Sequence, residues 1–95
     1  MSGKIIIPVK FPLGRLVATP NALIHLSETE IHTAISRHLS GDWGEIGEED
    51  WRVNDEALEN GSRLLSVFST GKGVRFWVIT EADRSATTML LPEDY

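Results

Sequence analysis

Ninety-five residues, 41% hydrophobic and 24% charged, suffice for one folded core and leave no room for a second. Cysteine is absent, which excludes a disulfide framework, thiolate zinc sites and any thiol nucleophile. The formal net charge of −5 repels phosphate backbones and disfavours direct nucleic-acid binding.

Residues 1–12 read as an extended N-terminal arm, because Pro8 and Pro12 each remove a backbone donor and push their predecessors toward extended geometry. The Ile5-Ile6-Ile7 run stops at Pro8, too short for a signal-peptide apolar region or a membrane span. A cytoplasmic protein without membrane contact is therefore expected. Residues 13–95 form a single α+β domain. Leu13 to Thr19 is its first strand. Thr19-Pro20 then starts a short helix, with a hydroxyl at the N-cap and proline at the first helical position. Ser27-Glu28-Thr29-Glu30 matches a capping box, and Ile31, Ala34, Ile35 and Leu39 repeat at helical steps behind it. Ser40-Gly41 ends that helix with a left-handed glycine cap.

Residues 41–47 form a glycine-rich loop anchored by Trp43 and Ile46, and the polar residues 48–60 suit either a short helix from about Glu48 or a helical turn from about Asn54, closed by Asn60-Gly61. From Arg63 the period becomes two. Leu64, Ser66 and Phe68 alternate with Leu65 and Val67, so this strand is covered on much of both sides. Thr70 to Gly73 is a hairpin turn, Val74 to Thr80 the return strand, and Ala86 to Leu91 a third strand after the turn at 82–85. The expected fold is a three- to four-stranded antiparallel sheet, with a C-terminal meander and one or two helices on one face.

Charge is unevenly distributed. Residues 42–59 carry Asp42, Glu45, Glu48, Glu49, Asp50, Asp55, Glu56 and Glu59 against Arg52 alone. These acids do not follow the calcium-loop spacing from Asp42 or from Asp50. His25, His32 and His38 lie seven and six apart, unlike the three- or four-residue steps of helical zinc pairs. His38 sits near a helix C-terminus, which favours positive charge. No metal or cofactor is expected. Trp51, set among the acids, suits an interface anchor, while Trp43 suits a core plug. Asp42, Glu45, Glu48, Glu49, Asp50, Trp51 and Asp55 are thus candidate residues for binding a protein partner with a basic surface. A homodimer is compatible with the sequence. The turn at 80–85 supplies an alternative site. There Glu81 and Arg84, with a histidine from the helix, would act as base, acid and phosphate clamp in a toxin-like ribonuclease.

Several stretches together resemble a known family. They are Ala18 to Leu23, Ser40 to Glu45, Arg63 to Ser66, and Trp77 to Ser85 followed by Thr87-Thr88 and Leu90 to Tyr95. The resemblance covers about residues 13–95 and is to small bacterial proteins labelled plasmid-related and found on mobile elements. It carries no activity and no catalytic residue. It does imply a setting in which small acidic proteins block restriction or CRISPR complexes through their basic grooves. The expectation is a non-enzymatic binding protein of the anti-CRISPR or anti-restriction type, with an accessory protein lacking any active site as a further alternative.

Overall fold

A computed structural model describes residues 9–95. Strand β1 (Arg15–Ala18) leads into helices α1 (Pro20–His25), α2 (Glu28–Leu39) and α3 (Glu48–Asn60). Strands β2 (Leu64–Ser69), β3 (Arg75–Thr80) and β4 (Ala86–Leu90) follow, with a closing 3-10 turn over Pro92–Asp94.

Local signals act where the sequence places them. Thr19 accepts the Ala22 amide at 3.1 Å, and Pro20 fills the first helical position. Ser27 and Glu30 exchange side-chain and backbone bonds at 2.8 and 3.1 Å, completing the capping box. Gly41 and Gly61 close α2 and α3 with positive φ.

The sheet has the order β1-β4-β3-β2. β2, β3 and β4 form the expected antiparallel meander. β1, however, lies parallel to β4, pairing Arg15 with Ala86 and Ala18 with Met89. The sheet is therefore mixed rather than wholly antiparallel. The physical reason is the crossover: three helices intervene between β1 and β2, so β1 reaches the far edge of the meander and pairs with its last strand.

Alternation sorts the strand residues. Phe68, Phe76, Val78 and Met89 lie on the inner face and pack with Ala22, Leu26 and Ala34 of α1 and α2. A second cluster joins Phe11, Trp43, Ala57 and Leu64, with Trp51 and Ile46 packed against it. Phe11 is buried and Lys10 donates to the Leu39 carbonyl at 2.9 Å, so the end of the expected arm docks on the core. The arm's residues 1–8 lie outside the described part.

Helix α3 does not lie on the sheet face with α1 and α2; it runs along the outer edge of β2. Asn54 spans that edge like a peptide group, accepting the Leu65 amide at 3.1 Å and donating to the Leu65 carbonyl at 2.6 Å. Two residues on, Val67 donates to Trp43 at 3.1 Å and accepts from Glu45 at 2.7 Å. Gly44 makes this approach possible, because a Cβ there would collide with the Val67 carbonyl and the Phe68 ring. The β2 edge is thereby closed to further strands. Asn54→Ala is expected to lower stability by about 2 kcal/mol, since it strips two buried-edge bonds. Urea denaturation of the variant checks this, and a loss below the precision of the midpoint would count against the Asn54 bridge.

Candidate functional site

The interior holds a polar chain that the sequence reading did not anticipate. His38 Nδ1 lies 2.6 Å from Ser66 Oγ, and Nε2 lies 2.8 Å from Thr80 Oγ1. Thr80 Oγ1 is 2.7 Å from Thr87 Oγ1, which donates at 2.7 Å to the Leu13 carbonyl. Proton counting fixes every direction. Thr87 has one proton, given to Leu13, so Thr80 must donate to Thr87. The Thr80 proton is then spent, so His38 must donate from Nε2. A neutral imidazole then accepts at Nδ1, and Ser66 is its donor.

A serine beside a histidine resembles a nucleophile and its base. Here His38, Ser66, Thr80 and Thr87 are each 0% exposed, so no substrate reaches them. The chain's role is to join α2, β2, β3, β4 and the segment entering β1. The helix C-terminus favours charge on His38, but desolvation wins. Burial, aided by the nearby Arg84 cation, pushes the imidazole down to about 4. The expected bias toward a positive His38 is thus corrected. His25 and His32 are exposed, and no group of three or more metal-ligating side chains converges among the described residues. The signal for His38 lay in its spacing: with Ile31, Ala34 and Ile35 it completes one helical face.

Arg84 adopts φ 61°, and its guanidinium is turned inward. It donates to the carbonyls of Ala57 at 2.9 Å, Ser62 at 2.6 Å and Glu81 at 3.2 Å. Its guanidinium carbon also lies 5.8 Å from the Phe11 ring centroid. These bonds satisfy the end of α3 and the two turns beside it. Glu81 is exposed on its turn, joined to Arg84 through its backbone carbonyl. Asp83 instead accepts the Ser85 amide at 3.0 Å, as an Asx turn does.

The acidic block divides. Asp42 pairs with Arg37 at 2.7 Å, and this bond holds its carboxyl below the usual carboxylate range. Asp55 accepts the Trp43 indole N–H at 2.9 Å, which fixes the fully buried Trp43 beneath the loop. Glu49 and Glu56 both reach Arg52. Trp51 is half-buried against the second cluster and acts there as a core contact. Glu48, Glu49 and Asp50 occupy the first turn of α3, where Gly47 supplies no side-chain cap and acids offset the free amides.

Glu45 and Asp50 both border the outer sheet face. With Ile46 and Pro92 they rim an open trough floored by Leu65, Val67 and Trp77. Arg75 stands at the rim, 3.3 Å from Glu45, and Tyr95 packs edge-on to Trp77 at 5.4 Å. The apolar floor went unassigned in the sequence, although the two-sided alternation of β2 marked Leu65 and Val67 as sheet-face residues. No described helix is long and apolar enough to cross a membrane.

Two outcomes follow for the buried chain. An unfolded imidazole titrates near 6.5 and the folded one near 4, so the unfolded chain binds more protons between these values. Stability is therefore complete above about pH 6.5 and falls as pH drops toward 4, by a total on the order of 3 kcal/mol. Urea midpoints at pH 7.0, 5.5 and 4.5, buffer values of about that spacing, are expected to decline across the window; a flat series would contradict a neutral buried His38. Thr80→Val leaves the Nε2 proton without an acceptor and is expected to cost about 2 kcal/mol at neutral pH, read by the same denaturation.

Comparison of the chain with protein-family models, curated proteins and solved structures gave no match.

Proposed function

We propose that this chain is a non-enzymatic protein-binding protein whose acidic α3 and adjoining trough engage a basic partner surface. One observation carries the reading. Helix α3 bears six acids against Arg52, equal to the whole net charge of −5, while the remaining acids and bases cancel. That charge stands beside an open apolar floor containing Trp77. Tryptophan and aliphatic side chains supply contact energy, and surrounding acids select a cationic counterpart.

Exposed carboxylates along a helix place negative charge at intervals of a few ångströms, as a phosphate backbone does. A groove lined with lysine and arginine for gripping nucleic acid is the partner surface that such an array would occupy. An inhibitor of a defence nuclease, of the anti-CRISPR or anti-restriction type, works by this chemistry. The ion pairs of Arg52 are exposed and contribute only a few tenths of a kcal/mol each, so a competing cation would displace them at little cost.

Tagged protein retaining a partner from bacterial lysate is the starting measurement, with elution by rising salt. Glu48→Gln, Glu49→Gln and Asp50→Asn combined are expected to move elution to lower salt and flatten the salt dependence. Circular dichroism would establish that α3 persists in the variant. Retention unchanged by the three neutralisations would sink the charge-driven reading.

A further inference from the structure

The two edges of the sheet are treated oppositely. The β2 edge is closed by Asn54, by the 43–45 segment and by α3, as described above. At the other edge, Arg15 and Thr19 donate to Ser85 and Met89 at 3.0 Å. In a parallel pair this alternation turns the odd positions of β1 toward β4 and the backbone groups of Leu16 and Ala18 outward. Among the described residues nothing pairs with them. β1 has no proline, bulge or lysine to guard this edge. Leu16 is 45% exposed, and α1, which follows directly, presents Leu23 and Ile24 to solvent.

We infer that this edge is a self-association site, at which a second copy of the chain adds antiparallel through its own β1. The strand is self-complementary in one register. With Val17 opposite Val17 of the second copy, Leu16 faces Ala18 and Ala18 faces Leu16. All four outward amides and carbonyls on each strand's facing edge then pair, in two reciprocal sets. The same register sets Arg15 opposite Thr19, whose hydroxyl already donates to Asp94 at 2.7 Å. Each Arg15 cation thus approaches the carboxylate-bearing end of the other copy, twice over by symmetry. The inference is independent of the partner proposed for α3.

Charge placement favours a second copy over other occupants. Chains carrying −5 each would repel if the acids met. Here α3 lies outside the β2 edge, so the two acidic helices would flank an eight-stranded sheet whose outermost strands are about 34 Å apart. That separation is several times the Debye length of about 8 Å at physiological salt. The β1 end, by contrast, offers one cation and one carboxylate in matching positions.

The full chain, followed by sedimentation equilibrium across a concentration series, is expected to shift toward about 21 kDa, twice the 10.6 kDa chain. Ala18→Pro deletes an outward amide that makes no bond within the described chain. Through symmetry it removes two of the interchain bonds, so the dimer dissociation constant is expected to rise about 30-fold. Arg15→Glu is expected to weaken association, with the loss deepening at low salt. Circular dichroism and the urea midpoint would show that each variant is folded. A protein that stays monomeric throughout the series would overturn the inference. So would a dimer indifferent to Ala18→Pro, or a monomer whose Leu16 and Ala18 amides resist hydrogen exchange, since the edge would then be covered from within the chain.

Discussion

The proton order from Ser66 through His38, Thr80 and Thr87 to the Leu13 carbonyl admits one arrangement, and α2, β2, β3, β4 and the segment entering β1 each contribute a member. Each hydroxyl has one proton to give and is bonded on both sides except Ser66, so displacing any element by an ångström breaks a bond that no water can replace. The surrounding apolar cluster supplies most of the favourable burial, but aliphatic contacts tolerate sliding. Directional bonds in a dry interior do not. The register between α2 and the meander is thus set by a small polar group at the centre of an otherwise oily core. Phe11 and Trp43 complete the seal, with ring centroids 5.2 and 5.5 Å from the imidazole.

Arg84 performs a related task outside that core. A guanidinium that could have faced solvent turns inward and gathers carbonyls from the end of α3, the Ser62 turn and its own turn. Its positive charge also lies close enough to disfavour protonation of His38. One cation therefore serves two ends: it satisfies backbone acceptors at a junction of three segments and helps keep the buried imidazole neutral.

Much of the local structure was legible because its causes are local. Thr19-Pro20, Ser27 with Glu30, and Gly41 and Gly61 set helix boundaries through bonds reaching only three or four residues. The hairpin and the meander were legible from alternation and turn chemistry. The parallel seat of β1 was not, since the choice between edges depends on where three helices leave the chain. The inward turn of Arg84 was equally hidden, because its acceptors lie up to 27 residues away. His38 is the instructive case. Helical spacing placed it on the buried face, while its polarity and its position near a helix end argued for solvent, and burial prevailed because two hydroxyls met it. The acids were legible as a block but not in their division into those spent on Arg37, Trp43 and Arg52 and those left beside the trough.

Gathering the whole net charge on one helix has a mechanical consequence. A molecule of this size with its excess charge at one edge and a balanced remainder carries a large permanent electric moment, directed across the strands. In the field of a cationic body such a molecule feels a torque before it feels a contact. It rotates to lead with α3, and the fraction of collisions that arrive correctly oriented rises accordingly. Spread evenly over the surface, the same charge would draw the molecule in without telling it which way to face.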